Sequence, residues 1–172
     1  MSTSPRIQPR QIEAKTIQSH RHATSRAAWN HLCARAAPIG YALLRLVFGA
    51  VLFTHGLPKL LRTSHGSMAD PMAGSIHLIE NVMHLPAAPA LAMLVTLLEA
   101  IGGVMLAVGL GTRLIALGVA VEMIGISYAL GPTWPWIDRG IEYPVLMAFL
   151  AAYIAAHGGG RWSLDRLIER KL

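Results

Sequence analysis

The sequence contains one cysteine, Cys33, and few charged side chains. A lone cysteine excludes an intrachain disulfide and any metal cluster built on several cysteines. Charged residues make up 14% of the chain, whereas about a quarter is usual in soluble domains. The chain also lacks the patterns of a phosphate-binding loop, a nucleophile elbow or a zinc site. A soluble enzyme with one of these sites is therefore disfavoured.

The charges that are present are mostly positive. Lys and Arg number 15 against nine Asp and Glu, which gives a formal net charge of +6. Because these basic residues flank apolar stretches, membrane orientation explains them better than nucleic-acid binding does. We therefore expect a lipid bilayer as a partner and no nucleic acid.

Long, continuous apolar runs occupy most of the chain, at roughly 39–61, 88–110, 114–130 and 141–156. A helix needs about 20 apolar residues to cross a bilayer, so three runs are long enough and the fourth is slightly short. Barrel strands would alternate apolar and polar residues, which these runs do not. The sequence predicts an all-α protein, a transmembrane four-helix bundle.

Basic residues also predict the orientation and the domain limits. Six Lys and Arg lie in residues 1–37 and four follow residue 160, whereas the connections between the runs hold few. Under the positive-inside rule both termini are cytoplasmic. We expect residues 1–37 to be a flexible basic tail, in which residues 23–36 could form a short helix at the membrane surface. Residues 38–160 then form the transmembrane domain, and residues 161–172 form a short amphipathic helix capped by Ser163. An Arg-rich, acid-poor N-terminus also occurs in mitochondrial presequences, which stays an alternative.

Ionisable residues within the apolar runs are the candidate site. They are costly in lipid and usually face the interior of a bundle and a partner. In the first run Arg45, His55 and Lys59 fall within an arc of about 80° of a helix. Acidic residues that could pair with them occur in the later runs. The candidates for a ligand or proton site are Arg45, His55, Lys59, Glu99, Glu122, Glu142 and Tyr143.

The carboxylates share helix faces with small residues, which let helices approach closely in lipid. This pattern predicts helix contacts at Gly102, Gly103, Gly118 and Gly125. By depth, Arg45 or His55 would pair with Glu99, and Lys59 with Glu142. Two interpretations stay open: the pairs fix packing and register, or they form a ligand, proton or electron-transfer site. His55 alone is a weak metal signal, so we expect no metal site.

Three motifs carry a family resemblance over residues 41–167. They are LLRLVFGAVLFTHGLPKLL, LLEAIGGVMLAVGLGTRLIALGVAVEM and IEYPVLMAFLAAYIAAHGGGRWSLDRL. In this order they resemble the DoxX family of small bacterial inner-membrane proteins. The resemblance implies a multi-pass four-helix bundle in the bacterial inner (plasma) membrane. The matching positions are Arg45, His55, Gly56, Lys59, Glu99, Gly102, Gly103, Thr112, Arg113, Glu142, Tyr143 and Pro144.

The same resemblance implies a function. The family is named for a subunit associated with thiosulfate:quinone oxidoreduction, and some members are linked to membrane redox complexes and to sulfur or oxidative-stress handling. We therefore expect a redox-complex subunit that meets the quinone pool, with no intrinsic cofactor, a bound quinone and a redox partner protein. The alternatives are a non-enzymatic assembly or scaffold subunit and a small-solute or proton carrier, and a homo-oligomer is compatible with each.

Overall fold

Every regular element in the described part of the chain is helical. The computed structural model describes the backbone of residues 9–171 and the side chains of residues 26, 29–135 and 137–171. No strand occurs among them, apart from an isolated bridge between His65 and Met68. The longer helices are α1 (Pro9–Leu61), α2 (Pro71–His77), α3 (Ala88–Val108), α4 (Thr112–Leu130), α5 (Glu142–His157) and α6 (Leu164–Glu169). A π-helical turn follows α2 at Leu78–Val82, and a short 3-10 helix lies at Trp136–Asp138.

In the part of the chain that the structure describes, three helices are long and apolar enough to cross a bilayer. They are Trp29–Leu61 within α1, Ala88–Val108 and Thr112–Leu130. The prediction of an all-α membrane protein is confirmed at this level, and three of the four predicted spans correspond to these helices. The fourth, α5, has 16 residues.

The first helix is longer than the sequence predicts. A basic tail over 1–37 and a span from residue 39 would leave a boundary between them, yet α1 runs from Pro9 to Leu61 and passes Pro38. Pro38 thus lies inside the helix, where proline removes one backbone hydrogen bond but does not end α1. The predicted surface helix at 23–36 is thus part of α1, while residues 1–8 of the predicted tail lie outside the described residues. By their contacts the residues form two compact units, 1–39 and 40–172.

Within residues 40–172, one buried core draws on four helices. The helices are apolar on their exposed faces as well, so close van der Waals packing, rather than escape from lipid, holds their inner faces together. Its members come from α1, α3, α4 and α5: Phe48, Leu52, Leu106, Ala116, Val119, Ala120, Met123, Met147, Ala151 and Ile154.

Helices α1 and α3 approach closely through glycine. A Cβ on Gly103 would lie 2.7 Å from the carbonyl oxygen of Gly49, and a Cβ on Gly49 would overlap the carbonyl oxygen of Gly103. Gly56 meets the backbone of Ala100 in the same way. The order of these contacts makes the two helices antiparallel. No larger residue fits at these positions unless the helices separate.

The other predicted contact glycines face side chains. A Cβ on Gly102 would lie 3.0 Å from Ile115, and one on Gly118 would lie 3.3 Å from Leu98, so both positions are at the packing between α3 and α4. A Cβ on Gly125 would lie 3.6 Å from Met83. Of the four predicted positions, Gly103 is therefore the one in tight backbone contact.

Helix α1 ends partway along α3. Gly56 is level with Ala100; five residues of α1 follow it, whereas twelve residues of α3 precede Ala100. At a rise of 1.5 Å per residue, α1 stops about 10 Å short of the start of α3. The connection after α1 covers the remaining surface, because Met72 and Ile79 form a buried cluster with Ala88 and Ala92. Lys59, in the last turn of α1, is largely shielded from solvent, whereas Leu60 and Leu61 stay exposed.

Candidate functional site

A buried ion pair joins the end of α1 to the middle of α3. The ammonium of Lys59 donates to both carboxylate oxygens of Glu99, at 2.8 and 2.7 Å, and the two side chains are 12% and 5% exposed. Lys59 lies in the last turn of α1, where the partial negative charge of the helix end also stabilises a cation. The position of Lys59 follows from the contact of Gly56 with Ala100, which brings the last turn of α1 beside Glu99.

The acidic partner lies in an irregular turn. Residues Leu98–Gly102 of α3 form a π-helical segment, and Glu99 is its second residue. A π-turn inserts one extra residue into a helix and is often found at functional sites, because it re-aims the side chains that it contains.

A second carboxylate, Glu122 of α4, lies beside this pair. It is 8% exposed and is close enough to Glu99 and Lys59 to interact electrostatically with both. Neither of its oxygens accepts a hydrogen bond in the described part of the chain, but its carboxyl group can donate one to Glu99 when it carries a proton. An ionised buried carboxylate that accepts no hydrogen bond is costly. We call Lys59, Glu99 and Glu122 the carboxylate cluster.

His55, which shares a helical arc with Lys59 and Arg45, does not belong to the carboxylate cluster. Its Nδ1 lies 2.9 Å from the carbonyl oxygen of Val51, and its ring makes an edge contact with His65 at a centroid distance of 5.2 Å. His55 is exposed. Among the described residues, no three His, Cys, Asp or Glu side chains come together as metal ligands.

The remaining cation of that face, Arg45, binds the C-terminal loop. It is 2% exposed and donates to the carbonyl oxygens of Gly159 and, at 2.6 Å, Trp162. Its Nε has no partner in the described residues. The predicted pairing of Arg45 or His55 with Glu99 is therefore wrong. Arg45 donates its hydrogen bonds to backbone carbonyls of the turn after α5, and the carboxylate of Glu99 accepts from Lys59.

The two outer candidates, Glu142 and Tyr143, open helix α5. Both side chains are exposed, in contrast to the buried Glu99 and Glu122. The predicted pairing of Lys59 with Glu142 is wrong, because the ammonium of Lys59 binds Glu99.

Polar contacts also hold the C-terminal loop against the turn between α3 and α4. The hydroxyl of Tyr41 donates to the carbonyl oxygen of Gly158 at 2.5 Å, and Ser163 caps α6 as predicted. Gly109 ends α3 with φ of 78°, and a Cβ there would lie 2.7 Å from the guanidinium carbon of Arg45. Glycine is thus needed at position 109 for both its backbone conformation and the space it leaves.

Asp165 is the residue of this region that the sequence does not single out. Its carboxylate accepts from the backbone amides of Gly111 at 2.7 Å and Thr112 at 3.0 Å, at the start of α4. Burial raises the pKa of Asp165, but these hydrogen bonds and the charge of Arg45 outweigh burial, so the pKa lies below its ordinary value. Asp165 caps α4 from a distant part of the chain.

Comparisons with known proteins agree with the sequence motifs. The family model described as DoxX matches residues 40–132, which include the whole carboxylate cluster. A protein of Bacillus subtilis (strain 168), named "Putative oxidoreductase CatD", is 28% identical over 130 residues, which are 76% of this chain and 87% of that protein. No solved structure matches the chain significantly. The family resemblance is confirmed.

Proposed function

This chain belongs to the DoxX family, and on that premise we propose that it is a membrane subunit of a redox complex that exchanges protons with the quinone pool. The observation that carries the proposal is the carboxylate cluster, which is buried among helices long enough to cross a bilayer. The similarity to a protein named as an oxidoreductase supports the same class of chemistry.

The charge of the cluster determines what it can do. Lys59 and Glu99 neutralise each other, and an ionised Glu122 would leave one uncompensated negative charge. Such a charge is costly in a low-dielectric interior. We therefore expect Glu122 to carry a proton, as one of two carboxyl groups does when both occupy one site. Such a proton can be given up and regained.

The donor set fits the head group of a quinone. When bound, a quinone would supply the redox chemistry, because it takes up electrons and protons together. The ammonium of Lys59 and the protonated carboxyl of Glu122 can each donate a hydrogen bond to a carbonyl oxygen. The oxygens of Glu122 accept no hydrogen bond among the described residues, so its carboxyl group has hydrogen-bonding capacity left for a ligand. The electrons would come from a partner protein.

The membrane arrangement is part of the proposal. We infer that α5 is the fourth span of a four-helix bundle, because Met147, Ala151 and Ile154 pack into the same core as the other three helices. Its 16 residues rise about 24 Å, so the exposed apolar Ile137 and Trp134 would extend the span at one end. The surplus of Lys and Arg in the two tails orients both termini to the cytoplasm of a bacterial inner membrane.

The proposal is tested by quinone that co-purifies with the protein. The full chain is isolated gently from native membranes, and quinone is extracted and quantified against protein. We expect near-stoichiometric quinone in the wild type, a loss of at least about tenfold in Glu122→Gln and Lys59→Met, and no change in Glu80→Gln. Glu80 is an exposed acid in the connection before α3, so it is a matched control. Equal quinone in all four proteins would overturn the proposal.

A scaffold role is the second candidate, favoured by the tight contact of Gly49 and Gly103 and by Arg45, a buried charge whose hydrogen bonds among the described residues go to backbone carbonyls. In that case Lys59, Glu99 and Glu122 would likewise serve packing. A stoichiometric partner protein without quinone, together with cluster variants that lose stability, would favour the scaffold. Proton or solute flux in liposomes would favour a carrier.

A further inference from the structure

A basic cavity lies at one end of the spans, away from the carboxylate cluster. It has a volume of about 980 Å³ and lies between the start of α4 and the C-terminal segment. Two acidic residues, Asp165 and Glu169, line the cavity. Four arginines line it as well: Arg113, Arg161, Arg166 and Arg170. The lining therefore carries a surplus of two positive charges, to which His157 adds when it is protonated.

Most of this positive charge is uncommitted. Asp165 directs its carboxylate to the amides of Gly111 and Thr112. Among the described side chains (26, 29–135 and 137–171), those of Arg161, Arg166 and Arg170 take part in no hydrogen bond or ion pair. Arg113 donates to the carbonyl oxygens of Ala156 at 3.1 Å and Ala155 at 3.5 Å, which uses at most two of the five N–H groups of a guanidinium. The cavity thus presents several free guanidinium groups.

The position of the cavity is that of a membrane interface. Its walls include the first residues of α4, a candidate span, and the end of α5. Beside it, α6 carries exposed Leu164, Leu167 and Ile168 on one face, at the i, i+3, i+4 spacing of a helix. Trp162, also exposed, precedes this helix. An apolar face and a tryptophan next to arginines are typical of a helix that lies in the head-group region.

We propose that this cavity binds the phosphate head group of an anionic phospholipid. Guanidinium groups bind phosphate oxygens through paired hydrogen bonds, and basic pockets at the ends of spanning helices are known to take acidic head groups. The apolar face of α6 would lie against the acyl chains of the same lipid. A free phosphate would satisfy the arginines but would leave that face uncovered, so the lipid is the better occupant. The inference is independent of the proposed redox function.

Native mass spectrometry of the delipidated full chain tests the proposal. Phosphatidylglycerol, phosphatidylcholine or inorganic phosphate is titrated into wild type, Arg161→Ala/Arg166→Ala and the matched double variant Arg35→Ala/Arg139→Ala. Arg35 and Arg139 are exposed and lie outside the cavity. We expect selective binding of phosphatidylglycerol, weakened about 30-fold in the cavity variant and within about twofold of wild type in the control. Arg161→Lys/Arg166→Lys should recover part of the loss.

Three results would overturn the proposal. Equal binding of phosphatidylcholine would show that charge does not select the lipid. Displacement of the lipid by inorganic phosphate at comparable concentration would show that the cavity recognises the anion alone. Unchanged binding in the cavity variant would place the lipid elsewhere. Should the variant fold poorly, judged by helix content, the salt dependence of wild-type binding decides: head-group recognition weakens as ionic strength rises, and salt-independent binding contradicts it.

Discussion

Lys59→Met is the change that probes the carboxylate cluster most sharply. It keeps a flexible apolar side chain of similar length but removes the ammonium that binds both oxygens of Glu99. Glu99 and Glu122 are then left side by side in the protein interior without a cation. Removing one partner of a buried ion pair costs about 3–5 kcal/mol.

The exposure of the pair sets the expected size of the effect. Lys59 is 12% exposed and Glu99 5%, so some screening by solvent remains and we expect a loss of about 3 kcal/mol, at the lower end of that range. The assay is equilibrium unfolding in mixed micelles, followed by helix content. Arg62→Met, an exposed cation just after α1, is the control and should lose under about 0.5 kcal/mol.

A double-mutant cycle decides whether the loss comes from the pair. Lys59→Met/Glu99→Gln removes both charges, so its stability should lie closer to wild type than that of Lys59→Met. If Lys59→Met loses less than about 1 kcal/mol, or if the second substitution adds its full cost to the first, the carboxylates are not held by Lys59 and the reasoning fails.

Three further predictions concern packing, pH and orientation. Gly103→Ala places a methyl group against the Gly49 carbonyl and should cost about 1–3 kcal/mol in unfolding free energy, whereas Gly74→Ala, with open space at its Cβ, should cost none; equal effects would contradict the close approach of α1 and α3. Folding lowers the pKa of Asp165, so the stability that its carboxylate gives the folded protein is complete above the unfolded pKa near 4 and is lost as pH falls through the folded value. Wild type should therefore lose more stability than Asp165→Asn between about pH 6 and pH 3. Parallel pH profiles would refute this. Cys33 is exposed and is the sole cysteine of the sequence, so a membrane-impermeant maleimide should label it in inverted vesicles and not in spheroplasts; the reverse pattern would invert the proposed topology.

Four of the candidates chosen from the sequence are buried, namely Arg45, Lys59, Glu99 and Glu122, whereas His55, Glu142 and Tyr143 are exposed. The partners of the buried ones were not predicted. The helical arc of Arg45, His55 and Lys59 follows from periodicity alone, and the depth argument then assumed that α1 and α3 begin and end at the same level. The contact of Gly56 with Ala100 shifts α1 by about two turns relative to that assumption, and this shift brings Lys59 to Glu99. Gly49, which fixes the same register, lies in an apolar run that offers no signal beyond the glycine itself.

The contacts of Arg45 and Asp165 show a second reason why pairings are hard to read from sequence. Arg45 donates to backbone carbonyls and Asp165 accepts from backbone amides. Every residue carries these groups, so no residue type marks them as partners. The glycines at 109, 158 and 160 all have positive φ. In the sequence, these glycines indicated that polar side chains can reach the backbone in this region.

Infrared difference spectroscopy of the protein in lipid, with and without added quinone, tests the central claim most directly. The account predicts the carbonyl stretch of a protonated carboxylic acid in the wild type, its loss or shift in Glu122→Gln and Glu99→Gln, its persistence in Glu80→Gln, and a shift when quinone is added. The account would be contradicted by a spectrum without the band of a protonated carboxyl group. It would also be contradicted by a band that neither added quinone nor the cluster variants change.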